Sequence, residues 1–188
     1  MPNPKSTASI AGHPLHPMLV GFPIALFVAT FFSDLAFWRT GVPFWAEGSF
    51  WLLSAGLVMA ALAAVVGLID FFGEARIRAL NDAWWHAGGN MVAVLIELLN
   101  WYLRYQSGET TIVPTGLLLS LMVVCILLVT GWKGWKLVYL HRVGVSDERG
   151  GDRPTSAASV SNGTARHNQT LLGSGGRLAV YSEKRFPR

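Results

Sequence analysis

Four long apolar stretches occupy most of the first three quarters of this 188-residue chain. Each is long enough to cross the hydrocarbon core of a bilayer, for which about 20 apolar helical residues are needed. A segment in lipid must satisfy its own backbone hydrogen bonds, and four strands cannot close a barrel, so each stretch is predicted to be a helix. We therefore expect an all-α fold, a four-transmembrane-helix bundle. The four predicted spans are Met18 to Trp38, Phe50 to Phe72, Ala83 to Tyr105 and Thr115 to Tyr139.

Composition divides the chain into three parts. Residues 1–12 form a polar leader, residues 13–145 form the four-span membrane domain, and residues 146–188 are rich in Ser, Gly, Thr, Asn and Arg. The last part has too little apolar material to build a core and is predicted to be a disordered basic tail. The chain has a single cysteine, Cys125, so it can form no internal disulfide and has no cysteine metal motif.

The distribution of basic residues predicts the orientation of the chain. Lys and Arg stay preferentially on the cytoplasmic side of short connections. One orientation leaves only Arg39 and Arg104 on the far side, so we expect both termini to be cytoplasmic. The pI of about 9.6 then indicates attraction to an anionic lipid surface, and no nucleic-acid partner is expected. The cations on the predicted cytoplasmic side are Lys5, Arg76, Arg78, Lys133, Lys136, Arg142 and those of the tail.

Four of the five histidines share one predicted side of the membrane. His13 and His16 precede the first span, His86 begins the third and His141 ends the fourth, while Asp70 ends the second span on the same side. Side chains from facing helices often build sites in helical bundles. Imidazoles bind zinc, copper, nickel and iron, and histidines on separate elements suit axial ligation of haem.

We therefore predict a metal or haem site at this rim, with the cofactor left open between haem b and a transition metal. Asp70 would orient an imidazole or join the ligands. The alternative is that each histidine is a solvated or hydrogen-bonded interface side chain, and that Asp70 pairs with Arg76 or caps a turn.

One face of the third predicted span is polar along its whole length. Ionised groups exposed to lipid are unfavourable, so this face should point into the bundle or at a partner chain. Asn100 is expected to make interhelical hydrogen bonds, whereas Glu97 is left open between a proton relay and a structural role. Asp34 is expected to pair with Arg39 or Arg104. The polar stripe consists of His86, Asn90, Glu97, Asn100 and Arg104.

Two further patterns concern helix packing. Pro23 cannot donate to the carbonyl four residues earlier, so it predicts a kink or a widened turn early in the first span. Gly56, Ala60 and Ala64 follow one another at four-residue spacing in the second span, with Ala63 and Gly67 beside them. Small residues at this spacing let helices approach closely, so the second helix should be tightly packed.

The segment from Gly12 to Leu26, followed by Asp34, resembles the opening signature of a bacterial membrane family catalogued as domain of unknown function 2231. Similarity continues through residues 67–70, His86, residues 137–141 and residues 143–145, so the resemblance covers Gly12 to Val145. The chain departs from the family pattern where Trp135 and Arg142 stand in place of expected glycines, which affects the packing around His141.

The resemblance carries no established activity, but family members fused to Rieske-type iron–sulfur domains imply a role in electron transfer or with haem. Our leading hypothesis is a redox-linked protein of the bacterial inner membrane with a redox protein partner. The first alternative is a non-catalytic membrane anchor or assembly module, and the second is a small proton-coupled carrier that uses Glu97. Partners beyond the lipid bilayer, homo-oligomerisation and enzymatic activity are left open.

Overall fold

Four long helices form the core of the fold, as the sequence predicts. The computed structural model describes residues 3–145, and the predicted disordered tail lies outside the described residues. Two short antiparallel strands, β1 (Ser9–Ile10) and β2 (His13–Pro14), precede the helices. The helices are α1 (Leu15–Leu19), α2 (Gly21–Thr40), α3 (Pro43–Gly73), α4 (Ala75–Arg78), α5 (Asn81–Ser107) and α6 (Leu117–Tyr139).

Three helical runs are long and apolar enough to cross a membrane. The third run has 59 residues and contains both α5 and α6. These two helices are joined by a 3₁₀ turn and a π-helical turn, inside which Val113 leaves the helical region with φ −117° and ψ 123°. The residue before a proline favours such an extended conformation, and Pro114 follows. The runs are Leu15–Thr40, Pro43–Gly73 and Asn81–Tyr139.

Local sequence explains where the first helices start and stop. α1 and α2 are separated at Val20, close to the carbonyl that Pro23 leaves without its usual donor, which confirms the predicted irregularity. α2 ends at Thr40, because the next residue, Gly41, has a φ of 65° in the left-handed region; its N–H donates to the carbonyl of Phe37 at 2.8 Å. α3 then begins at Pro43, a residue suited to the first turn of a helix.

The long helices pair into two antiparallel hairpins. In the first hairpin, α2 and α3 meet where Ser33 donates to the carbonyl of Trp45 at 2.8 Å. In the second, Asn100 near the end of α5 donates to Ser120 near the start of α6 at 3.1 Å. We call the end of the bundle that carries residues 3–14, 74–80 and 140–145 the terminal end, and the other the loop end.

The two hairpins repeat one pattern of buried positions. The step from His16 to His86 and the step from Asp34 to Arg104 are both seventy positions. Members of each pair contact each other, as equivalent residues do at a two-fold axis. The same step relates the buried residues Pro23, Phe27, Thr30 and Asp34 of α2 to Ala93, Glu97, Asn100 and Arg104 of α5.

The apolar core lies between the hairpins at mid-length. Phe27, Leu53, Ala93 and Val123 are each at most 2% exposed and belong to one cluster with Ala60. The Phe27 ring lies so close to Gly56 that a Cβ atom there would collide with it. The prediction that small residues permit close packing of the second span is therefore confirmed.

Candidate functional site

His16 and His86 contact each other near the terminal end of the bundle. Their ring centroids are 6.1 Å apart and their planes are perpendicular. Nδ1 of His16 lies 2.9 Å from the carbonyl oxygen of Ala63 on α3, and Nδ1 of His86 lies 2.9 Å from the carbonyl oxygen of Thr130 on α6. A carbonyl oxygen can only accept, so each Nδ1 carries the hydrogen. The lone pair of Nε2 of His16 is then available to a metal ion, whereas Nε2 of His86 accepts from Nδ2 of Asn90.

A glycine lies beneath each of these rings. A Cβ atom built on Gly67 would lie 2.8 Å from Nδ1 of His16, and one built on Gly134 would lie 2.9 Å from Cε1 of His86. In both hairpins this glycine follows the carbonyl that anchors the ring by four residues, one helical turn. The two histidines therefore have equivalent surroundings. Each is held by one main-chain carbonyl, and each packs on a helix position that has no room for a side chain.

Asn90 of the polar stripe packs beside His86. Its Nδ2 donates to the main-chain carbonyl of His86 at 2.8 Å and lies 3.3 Å from Nε2 of the ring. Its Oδ1 accepts from the hydroxyl of Thr130 at 3.1 Å. Asn90 thus links α5 to α6 beside the His86 ring.

The other two predicted histidines lie apart from this pair. His13 is exposed, and its Nδ1 bonds the carbonyl of Ala11 at 3.0 Å. Nε2 of His141 lies 3.2 Å from a carboxylate oxygen of Asp82, whose other oxygen accepts from Lys133 at 2.8 Å.

Asp70 fastens the N-terminal segment to the end of α3. Its carboxylate accepts from the hydroxyl of Ser6 at 2.9 Å and from the main-chain N–H of Ala8 at 2.7 Å. Of the five side chains expected to converge at the rim, the structure brings together only His16 and His86. Within residues 3–145, no group of three or more His, Cys, Asp or Glu side chains is placed to hold a metal ion.

A second polar cluster lies inside the loop-end half of the bundle, centred on Asp34 and Arg104. The guanidinium donates to both carboxylate oxygens, at 2.8 and 2.7 Å, and the two side chains are 0% and 2% exposed. Ser49 of α3 bonds both members, and Ser120 of α6 donates to Asp34 at 2.7 Å. The prediction that Asp34 pairs with Arg39 or Arg104 is confirmed for Arg104, and all four long helices meet here.

Two residues of the polar stripe extend this cluster. Asn100 accepts from Nε of Arg104 at 2.9 Å and donates to Ser120 and Glu97 at 3.1 and 3.0 Å. The predicted interhelical role of Asn100 is therefore confirmed. Glu97 is fully buried, and its Oε1 has no hydrogen-bond partner among the described residues.

The two departures from the family pattern have different structural settings. Arg142 has a φ of 54°, in the left-handed region that glycine adopts without strain. The expectation of glycine at this position thus has a backbone reason, and His141 next to it still contacts Asp82. Trp135 is about half exposed and stacks on Tyr139 with a centroid distance of 5.3 Å.

Comparison with known proteins agrees with the resemblance carried by these segments. A family model described as "Predicted membrane protein (DUF2231)" matches residues 12–147, well over half of the chain. The chain belongs to the DUF2231 family. No curated protein and no solved structure matches it. Its apolar helices are those of a multi-pass membrane protein.

Sequence reasoning about this DUF2231 protein missed the two glycines of the histidine pair. The available signal was the repeat: a histidine followed eighteen residues later by a charged residue occurs in both hairpins, at His16 with Asp34 and at His86 with Arg104. Aligning the hairpins on these residues would have singled out His16 and His86 from the other histidines. Gly67 and Gly134 would then have been sought on the second helix of each hairpin.

Proposed function

We propose that this protein is a haem-binding membrane protein linked to electron transfer, in which His16 and His86 would hold the haem iron. The observation that carries the proposal is the perpendicular ring pair with centroids 6.1 Å apart. Histidines on separate elements can hold a haem iron between them. The two rings, one from each hairpin, would do so here.

The donor set favours haem over a bare transition-metal ion. A protein-bound transition metal generally needs three or four protein ligands, and the described residues offer no group of three. A haem would need fewer protein ligands, because its porphyrin already binds the iron, so a pair of histidines would be enough to hold it. His13, His141 and Asp70 are not required, since each is bonded elsewhere.

The surroundings of the two rings support a ligand role. Metal-bound histidines commonly donate their second ring nitrogen to a carbonyl or carboxylate, which fixes the tautomer and the ring orientation. The carbonyls of Ala63 and Thr130 accept from His16 and His86 in this way. A haem held by His16 and His86 would supply one-electron transfer. This favours electron transfer, with a redox protein partner, over catalysis at the iron.

The test is a titration of the purified full-length protein with haemin, followed by the Soret absorption. The wild type is expected to bind one haem per chain with a low-spin spectrum. His16→Ala and His86→Ala should each weaken binding at least tenfold, as outer-shell changes alone already do at other metal sites. His13→Ala and His141→Ala are the matched controls and should bind as the wild type does. Folded wild-type protein that binds no haem would overturn the proposal.

We further propose that the protein lies in a bacterial inner membrane with cytoplasmic termini. Arg104 is neutralised by Asp34, which leaves Arg39 as the exposed cation at the loop end of the described residues. The terminal end carries six cations, two of which, Arg76 and Lys133, are in ion pairs of their own, so the excess of basic residues stays at that end. Green fluorescent protein fused after Arg188 should fluoresce in cells, and alkaline phosphatase fused there should be inactive. The opposite pattern would invert the proposed orientation.

A further inference from the structure

A fully buried carboxyl group with an unpartnered oxygen among the described residues lies in the loop-end half of the bundle. Glu97 is fully buried; Oε2 accepts from Asn100 at 3.0 Å, and Oε1 has no hydrogen-bond partner among the described residues. A buried polar atom without a partner is rare and indicates an unmet interaction with water, an ion or a proton.

The repeat shows that this position can be apolar. Glu97 of α5 corresponds to Phe27 of α2, which is 2% exposed and packs over Gly56 in the core. Equivalent positions of the two hairpins are therefore filled by a phenyl ring in the first and by a carboxyl group in the second. The packing of the hairpin does not explain the choice of glutamate.

The charges around Glu97 favour its neutral form. Asp34 on α2 and Arg104 on α5 are the charged groups of the cluster, and they neutralise each other. α3 and α6 contribute Ser49 and Ser120, which carry no charge. An ionised Glu97 would leave one unbalanced negative charge inside the bundle, which a low-dielectric interior strongly disfavours.

A cleft connects the edge of this cluster to the loop end. It has a volume of about 380 Å³ and is lined by Arg104 and by the exposed carboxylates of Glu47 and Glu109. Arg104 lines the cleft and is linked through Asn100 to Glu97, which places the carboxyl group two side chains from the cleft. The acidic lining favours the entry of positive charge.

We propose that Glu97 is a proton-binding site whose carboxyl group gives its proton to, and takes it back from, water that enters from the loop end through this cleft. The site holds one proton. The protonated carboxyl group is uncharged, and the charges of Asp34 and Arg104 cancel, so the cluster carries no net charge. It is independent of haem binding by His16 and His86, so either proposal can fail without the other.

The experiment is infrared spectroscopy of the purified full-length protein across a pH series. At neutral pH the wild type should show the carbonyl stretch of one protonated carboxyl group, which disappears at alkaline pH. Glu97→Gln should lack this band, and the matched control Glu47→Gln, changed at the mouth of the cleft, should keep it. Transfer to D₂O should shift the band, because the cleft admits water.

Labelling of glutamate with ¹³C in the wild type gives a second measurement that needs no variant, since it shifts the band only if a glutamate carries the proton. Identical neutral-pH spectra of the wild type and Glu97→Gln would overturn the proposal, as would a wild-type spectrum without a ¹³C-sensitive band. A band that never shifts in D₂O would overturn the exchange through the cleft.

Discussion

Arg104→Ala is expected to lower the free energy of unfolding by about 3–5 kcal/mol, the loss typical of breaking a buried ion pair from one side. The carboxylate of Asp34 would remain fully buried without its guanidinium partner. Ser49 and Ser120 would each lose the hydrogen bond that they accept from Arg104. Titration of detergent-solubilised protein with a denaturing detergent, followed by circular dichroism, measures the loss.

Exchanging the pair provides the control, because Asp34 and Arg104 occupy equivalent positions of the two hairpins. The double variant Asp34→Arg, Arg104→Asp keeps both charges and reverses only their order across the axis. The Thr30 hydroxyl stands where Asn100 stands in the other hairpin, one turn before the charged residue. We expect the exchange to recover most of the stability that Arg104→Ala loses. A double variant no more stable than Arg104→Ala would contradict the two-fold relation.

Gly134→Ala is expected to weaken haem binding at least tenfold, a loss of the size seen when outer-shell groups of metal sites are changed. The added methyl group would lie 2.9 Å from the His86 ring, which must then leave its place above the α6 backbone. Overpacking of this kind also lowers stability by about 1–3 kcal/mol. Gly67→Ala should act in the same way on His16, where the methyl group would lie 2.8 Å from the ring.

Gly131→Ala is the matched control for this prediction. Gly131 lies one turn before Gly134 on α6, and a Cβ atom there meets nothing within 4 Å. The change should leave haem binding intact and should not lower stability, because alanine is favoured over glycine in a helix by about 1 kcal/mol. Equal haem affinities of Gly131→Ala and Gly134→Ala would show that the glycine beneath His86 does not support a ligand.

The helical fold and the buried ion pair could be predicted from sequence because each rests on a one-dimensional signal. Apolar length predicts a span, and the cost of ionised groups in lipid predicts that the stripe containing Glu97 and Arg104 faces inward. Charge pairing then leaves Arg39 and Arg104 as the partners for Asp34, and the structure selects Arg104. These arguments need only the order of residues and the solvent around them.

The histidine site could be predicted only in part, because histidines on the same side of the membrane need not contact one another. His141 lies at the same end as His16 and His86, but Asp82 is closer to it and supplies an ion-pair partner. Asp70 is engaged by Ser6, a residue of the leader whose position depends on the folded N-terminal segment. Neither competing partner can be identified without the packing of the helices.

Electron paramagnetic resonance of the ferric, haem-loaded protein tests the central claim most directly, because the signal depends on both axial ligands at once. With His16 and His86 on the iron in perpendicular planes, as the rings stand in the structure, we predict one strongly anisotropic low-spin signal. The signal should be absent from His86→Ala and unchanged in His141→Ala. A high-spin signal from the wild type, or a low-spin signal that survives in His86→Ala, would contradict axial ligation by this pair.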